Sequence, residues 1–189
     1  MQYLKGRSTF INPVSFIRKR FIADLYRALA LDQEGNEEEA SKLFRSSFEI
    51  LNGDGILADD YFPLLREAGQ VEEHDRNFRI VYERLGKSIA AYPRAHNTYN
   101  SAAWMASRAC RELPDAMRKI QKALAMRPRQ AAYLDTMAEV WFAKGDRGKA
   151  VEWSRKAVRD SFHGGSGSEA GVGLREQYDR FVSGEFPVP

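Results

Sequence analysis

The chain has 189 residues, of which 43% are hydrophobic and 29% charged, a composition typical of folded proteins and unlike that of disordered chains. The formal net charge is +3, yet the first twenty residues alone carry +5 through Lys5, Arg7, Arg18, Lys19 and Arg20. The remaining residues interleave acids with bases and carry a net −2, which argues against a nucleic-acid-binding body.

The single cysteine, Cys110, cannot form an intramolecular disulfide, and the sequence has no CxxC motif or Cys/His cluster with metal-ligand spacing. We therefore expect no metal, no cofactor and a reducing compartment, the cytoplasm, unless the chain is a fragment of a longer exported protein. An uncharged apolar stretch of about 18 residues, as a membrane span needs, does not occur.

The chain begins with a predicted basic arm that leads into the first helix, residues 1–20. Asn12 and Pro13 suit a helix start, and the first helical hairpin is predicted over residues 21–54, with Gly35 in its turn. Three basic residues at the end of the arm are candidates for contact with an acidic partner: Arg18, Lys19 and Arg20.

A second hairpin is predicted over residues 55–94, and it is the least regular. Pro63 lies inside its first helix and is expected to kink or shorten that helix. Its second helix is predicted to run long, through Ala90 toward Pro93.

The third and fourth hairpins are predicted over residues 95–128 and 129–163. Pro114 suits the first turn of a helix in the third hairpin. In the fourth, Gly145 is predicted to end the first helix and Asp146 to cap the second.

Residues 164–189 are predicted to contain a flexible Gly/Ser-rich linker and a final amphipathic helix. Leu174, Tyr178 and Phe181 share one face of that helix, which is predicted to start at Leu174. Such a helix would cover the exposed apolar face at the end of a stack of hairpins.

Four pairs of like residues recur at a spacing of 34: Gly35 with Gly69, Phe44 with Phe78, Ala116 with Ala150, and Ala123 with Ala157. Each residue falls at a similar place in a helix–turn–helix unit. A period of this length is typical of repeats that stack helical hairpins.

These units resemble the tetratricopeptide repeat family, whose pattern is W-x2-L-G-x2-Y, then A-x3-F, then P. Matching positions in the fourth unit are Leu134, Met137, Ala138, Trp141, Ala150 and Ala157; in the third, Ala116, Ile120, Ala123 and Pro128; in the first, Ala28, Leu31, Ala40 and Phe44. The third unit also fits with Ala103 at the small position, for which we predict a turn one residue shorter. The second departs most, with Phe62 and His74 where small residues are expected.

The resemblance covers residues 21–163 and is strongest in the last two units, which look like tetratricopeptide pairs common in bacterial proteins. It implies an all-α fold, a right-handed α–α superhelix of about four hairpins with a C-terminal capping helix. In this family the concave groove usually receives a peptide or a partner's helix. The groove-facing residues that it implies are Leu25, Leu29, Arg66, Asn97, Asn100, Trp104, Arg108, Asp135, Glu139 and Phe142.

The function that follows from this resemblance is a non-catalytic scaffold or adaptor for another protein. The alternative is a structural subunit of a larger enzyme or membrane complex, contacting it through convex or terminal faces.

Catalytic residues are not evident in the sequence. The three histidines, His74, His96 and His163, fall in different units or linkers, and none has a nucleophile at a suggestive spacing. His74 is interpreted as a bulky packing residue, Asp59 and Asp60 as helix-starting charges, and Cys110 as a small buried hydrophobe on an alanine-rich helix.

Overall fold

The computed structural model describes residues 13–51, 55–163 and 169–184, and within these ranges every regular element is a helix, as predicted. The chain divides into two compact units, Met1–Leu51 and Asn52–Pro189, and each is described by itself. No helix in the described ranges combines the length and the apolar character that crossing a bilayer requires.

The first unit contains the hairpin of α1, Pro13–Gln33, and α2, Glu37–Leu51. Pro13, the predicted start of the first helix, is helical, and it is also the first residue that the structure describes. Apolar residues at helical spacing are buried on both helices: Phe21, Leu25 and Ala28 on α1, and Ala40, Phe44 and Phe48 on α2. The basic residues Arg18, Lys19 and Arg20 are exposed on the first turns of α1, and the predicted arm before Pro13 lies outside the described residues.

The second unit begins with a π-helical turn, Leu57–Tyr61, that continues into a short helix α3, Phe62–Glu67. Pro63 lies in the first turn of α3, so the predicted shortening is confirmed, whereas the π turn was not predicted. Helix α4, Val71–Ala91, is long and ends just before Pro93, as predicted.

Four helices of similar length follow as two hairpins: α5, His96–Arg108, packs on α6, Leu113–Met126, and α7, Ala131–Ala143, packs on α8, Arg147–His163. The last helix, α9, Glu169–Ser183, packs on α8. It begins five residues before the predicted start at Leu174, because the segment EAGVG is helical despite its two glycines. The predicted flexible linker was HGGSGSEAGVG, residues 163–173; its two ends are helical in α8 and α9, and residues 164–168 lie outside the described residues.

All four hairpin turns have the same backbone hydrogen bonds. One residue in left-handed conformation follows each first helix: Gly35, Gly69, Cys110 and Gly145. In each turn its N–H bonds the carbonyl three residues back, and the next N–H bonds the carbonyl five residues back. This double bond pattern is the Schellman motif, and it satisfies the last carbonyls of the helix.

The turn between α5 and α6 is the exception in length and strain. It has four residues where the other three turns have three, so the prediction of a shorter turn was wrong. Two residues with side chains adopt left-handed conformation here, Cys110 and Glu112, both at φ 52°. Cys110 is therefore a half-buried turn residue just beyond α5, and its interpretation as a buried helical residue was also wrong.

Helix α9 is fastened to the α7–α8 hairpin at two points. Phe181 is fully buried in a cluster with Ala138, Phe142 and Ala150. Arg147, the first residue of α8, donates from Nε to the Phe181 carbonyl at 3.0 Å and also bonds the Val182 carbonyl. The Arg147 guanidinium thus supplies donors to carbonyls at the C-terminal end of α9, which have no N–H donors within the helix.

Candidate functional site

The candidate site lies along α5 and α7, which run side by side in the same direction. His96 and Tyr133, near the helix starts, bond at 2.5 Å from Nδ1 to the phenolic oxygen. Arg108 and Glu139, toward the helix ends, bond at 3.2 Å. The face that runs from the first contact through the second to Phe142 is hereafter the α5–α7 ladder. It consists of Asn100, Trp104 and Arg108 on α5 and Asp135, Glu139 and Phe142 on α7.

Arg108 is the centre of the ladder. Its Nη1 donates to Glu139, its Nη2 donates to the Asp59 carbonyl at 3.3 Å, and its guanidinium carbon lies 5.8 Å from the centroid of the Trp104 ring. The Trp104 indole Nε1 donates to Asp59 Oδ1 at 2.9 Å. Three elements, the π turn, α5 and α7, are therefore joined through one guanidinium and one indole.

Pro63 makes the Asp59 carbonyl available for this contact. In a regular α-helix the carbonyl of residue 59 would accept from the N–H of residue 63, which proline lacks. The local backbone instead forms a π turn, in which the Phe62 N–H bonds the Leu57 carbonyl. The proline that weakened the helical pattern thus provides an acceptor for Arg108.

Arg66 holds the strained turn beside the ladder. Its Nη1 donates to the Arg108 carbonyl at 3.0 Å and lies 3.1 Å from Cys110 Sγ. Burial raises the pKa of the Cys110 thiol, so the sulfur is a neutral acceptor at neutral pH. Arg66 therefore links α3 to the end of α5 without a carboxylate partner at these contacts.

Glu139 is fully buried and accepts from two guanidiniums that come from different helices. One is Arg108 on α5; the other is Arg180 on α9, whose Nη2 donates to Glu139 Oε2. The Arg180 guanidinium carbon also lies 4.8 Å from the centroid of the Phe142 ring. Burial lowers the pKa of Arg180, and the Glu139 charge opposes that shift.

Asp135 lies one turn before Glu139 on the same face of α7 and is only 8% exposed. Its Oδ1 is buried and has no hydrogen-bond partner. Burial and, after it, the charge of Glu139 raise the pKa of Asp135 to about 7. On α5, Asn100 Oδ1 is likewise buried without a partner. The ladder thus contains two buried acceptors that the protein itself does not satisfy.

The ten residues implied by the resemblance are placed in different environments. Arg66, Trp104, Arg108, Asp135 and Glu139 come together around the ladder, as the contacts above show. Asn97 is exposed one turn before Asn100, and Leu29 is half-buried on α1. Asn100 is half-buried on the ladder. Leu25 is fully buried in the core, and Phe142 is fully buried where the ladder meets the Phe181 cluster.

Two residues of the site were missed by sequence reasoning. Asp59 was interpreted as a helix-starting charge, although Pro63, four residues later, signalled that its carbonyl lacks the usual N–H donor of a regular α-helix. Arg180 gave no such signal, because its contact with Glu139 spans 41 residues and depends on how α9 packs. Arg180 precedes Phe181 in the sequence, and it can be recognised as a site residue only once the position of the Phe181 ring is known.

A second surface feature lies away from the ladder, between α4 and the strained turn. It is an open cleft of about 270 Å³ lined by Asp75, Phe78, Arg79, Tyr82, Glu83, Arg111 and Glu112. Phe78 and Tyr82 stack at 5.0 Å and form its aromatic wall. Arg111 bonds Asp75 at 2.9 Å across it.

His74 packs as the sequence suggested. It is buried, and its ring meets Phe62 edge-on at 5.2 Å, while its Nδ1 bonds Asp75 at 2.9 Å. Burial lowers the pKa of His74, so the imidazole is neutral at neutral pH. Among the described residues, no group of three or more His, Cys, Asp or Glu side chains is arranged to hold a metal ion.

Comparison with known proteins adds no family assignment. No protein-family model matches the chain, and no curated protein shows significant sequence similarity to it.

Proposed function

We propose that the helical hairpins form a short solenoid of tetratricopeptide type and that this protein is a non-catalytic scaffold, which docks a segment of another protein along the α5–α7 ladder. The proposed repeat architecture is supported by the four turns with identical hydrogen bonding at Gly35, Gly69, Cys110 and Gly145. The Schellman motif is a common helix end, but its recurrence after the first helix of every hairpin is consistent with repeated units.

The observation that carries the docking proposal is the unsatisfied polar content of the ladder. Buried polar atoms in folded proteins nearly always have a hydrogen-bond partner. Here Asn100 Oδ1 and Asp135 Oδ1 lack one, and they lie on adjacent helices beside the half-buried Trp104. A polar segment that docks here and displaces the side chains above these oxygens would supply donors, and Trp104 would supply an aromatic anchor.

The test uses the exposed edge of the ladder, because Arg66 and Arg108 hold internal bonds and their substitution would perturb the fold. Asn97 and Ala132 are exposed, each one turn before a ladder residue. The double variant Asn97→Arg/Ala132→Arg places two long side chains over the face while keeping good helix formers. Immobilised full-length protein would capture partners from a lysate of the source organism, quantified by mass spectrometry.

We expect a partner retained by the wild type to be lost from this variant and kept by a matched control, Arg79→Glu/Glu83→Arg, which alters the cleft beside α4. Circular dichroism and urea unfolding would establish that both variants are folded. Retention by the ladder variant together with loss from the control would contradict the proposal.

That opposite outcome would support the alternative, a structural subunit that contacts a larger complex through other faces. The cleft beside α4 favours it specifically, since Phe78 and Tyr82 form an aromatic wall outside the ladder. A volume of about 270 Å³ suits one anchoring side chain of a partner better than a small-molecule ligand, whose pockets usually exceed about 300 Å³.

A further inference from the structure

The ladder contains a site already shaped for a guanidinium group. Arg180 reaches it from α9, bonds the Glu139 carboxylate, and places its guanidinium carbon 4.8 Å and 4.6 Å from the centroids of Phe142 and Phe181. A buried carboxylate combined with aromatic faces is the environment that favours arginine. The occupant therefore reveals the chemistry of the site.

The site has more acceptor capacity than Arg180 uses. Asp135 Oδ1 has no partner, although its residue lies one turn from Glu139 on the same face. The charged groups that act on Asp135 are Glu139 on its own helix, Arg108 on α5, Arg180 on α9 and Asp59 on the π turn. A donor positioned between the two carboxylates would satisfy the free oxygen.

The helices that present this face are acidic as a set. The π turn with α3, together with α5 and α7, carries five acidic and two basic residues. The helices paired with them, α4, α6 and α8, carry seven acidic and twelve basic residues. Charge complementarity therefore favours a basic segment on the ladder side.

Arg180 can leave the site without undocking its helix. Helix α9 is held by the buried Phe181 ring and by Arg147, which bonds the Phe181 and Val182 carbonyls. Neither attachment involves the Arg180 guanidinium, and its side chain is 22% exposed. A long side chain can swing away while the backbone of α9 stays in place.

From these contacts we propose that Asp135 and Glu139 form a binding site for an arginine side chain of the docked segment, and that Arg180 occupies this site until the partner's arginine displaces it. This inference rests on the proposed docking function. Arg180 acts as a tethered competitor, so its removal should open the site.

The probe for the test is acetyl-arginine amide, with acetyl-glutamine amide as the neutral control. Full-length Arg180→Gln would be titrated with each, and the Trp104 indole N–H and the Asp135 carboxyl followed by NMR. We expect the arginine probe to bind Arg180→Gln at least about tenfold more tightly than the wild type, because a tethered group competes at high effective concentration. Binding should also lower the pKa of Asp135.

Two further variants keep the result interpretable. Arg180→Lys retains the competing charge but lacks the planar fork, so it should bind the probe more tightly than the wild type and more weakly than Arg180→Gln. Should Arg180→Gln unfold, the gain of Arg180→Lys over the wild type becomes the supporting result, and equal binding by these two proteins overturns the proposal. Arg180→Gln/Asp135→Asn should lose most of the gain. Equal binding of the arginine and glutamine probes, or an unchanged affinity when Arg180 is removed, would overturn the proposal.

The result separates from that of the docking test. If partner capture depends on Asn97 and Ala132 but the arginine probe does not bind Arg180→Gln, the arginine site is wrong and the docking face stands. If the arginine probe binds but the Asn97→Arg/Ala132→Arg variant still captures the partner, the docking function is wrong. The site then has no role in holding a partner.

Discussion

Glu73 on α4 and Glu139 on α7 are both buried carboxylates of the second unit, yet their surroundings differ. Glu73 accepts from Asn77 at 2.5 Å and from Tyr61 at 3.4 Å and pairs with Arg76, while Asn77 also donates to the Tyr61 hydroxyl. Glu73, Asn77 and Tyr61 have no buried side-chain oxygen or nitrogen that lacks a partner, although Nε2 of the adjacent His74 does. Around Glu139, by contrast, Asp135 Oδ1, Asn100 Oδ1 and Arg108 Nε have none.

Backbone strain also differs between the α3–α4 turn, which precedes Glu73, and the α5–α6 turn beside the ladder. Gly69 takes the left-handed position before α4, where glycine meets no steric cost. Cys110 and Glu112 take left-handed conformations before α6, and each side chain there carries strain. A saturated polar cluster beside a relaxed turn is expected of structure alone, whereas unsatisfied atoms beside a strained turn are expected of a binding surface.

The largest effect should come from Glu139→Gln. It leaves the Arg108 and Arg180 guanidiniums close together without their carboxylate, and removing one partner of a buried ion pair costs about 3 kcal/mol or more. Urea unfolding monitored by circular dichroism would measure the loss. A smaller loss of stability in Glu139→Gln than in Glu73→Gln would contradict the difference drawn here between the two carboxylates.

Asp135→Asn should stabilise the protein in a pH-dependent way. The folded pKa of Asp135, about 7, lies above its ordinary value of 3.8, so the carboxyl opposes folding increasingly as pH rises through this window. Asparagine cannot ionise, and the variant should gain a few kcal/mol, roughly 3 to 4, at about pH 8 and well under about 1 kcal/mol near pH 4. Urea titrations at both pH values would measure the difference. A gain in stability that does not depend on pH would show that the folded protein does not raise the pKa of Asp135.

A smaller loss is expected from Glu73→Gln. The glutamine oxygen can still accept from Asn77 and Tyr61, and only the pair with the half-exposed Arg76 is lost, so the cost should be about 1 kcal/mol. The same urea measurement applies. Glu73→Leu provides the matched comparison, because it removes every acceptor and should cost more than the glutamine variant.

The smallest effect should be a gain from Cys110→Gly. Relief of left-handed strain outweighs the added freedom of the unfolded chain and the lost Arg66 contact by about 0.5 kcal/mol. Thermal unfolding would measure it. Cys110→Ala is the control, since it removes the sulfur and keeps the strain, and it should be less stable than Cys110→Gly. A reversed order would mean that the turn is not strained.

Local signals in the sequence were sufficient for most of the helices. Gly145 and Asp146 predicted the fourth turn, where Asp146 Oδ1 accepts from the Lys149 N–H at 3.0 Å as a helix cap. Pro93 likewise predicted the end of α4. Such features depend on neighbouring residues, and sequence patterns report neighbours well.

The site depended on contacts that no local pattern encodes. Arg108, Trp104 and Glu139 were on the predicted groove, but their bonds to Asp59 and Arg180 join residues 41 to 49 positions apart in the sequence and were not predicted. The extra residue in the third turn was missed because Cys110 and Glu112 are not residues that signal left-handed backbone. Helix α9 was placed late because two glycines mask its first turns.

The π turn at Leu57–Tyr61 contains one residue more than an α-helical turn, because its hydrogen bonds join residues five apart and not four. A single-residue deletion there, combined with Pro63→Ala, would be accommodated as continuous α-helix, yet it would rotate residues 55–59 by about 100° relative to α3. Asp59 would then turn away from Trp104 and Arg108. Such a deletion would therefore keep the helix but remove the contacts of Asp59 with the ladder. A change of length at this point would test binding separately from folding.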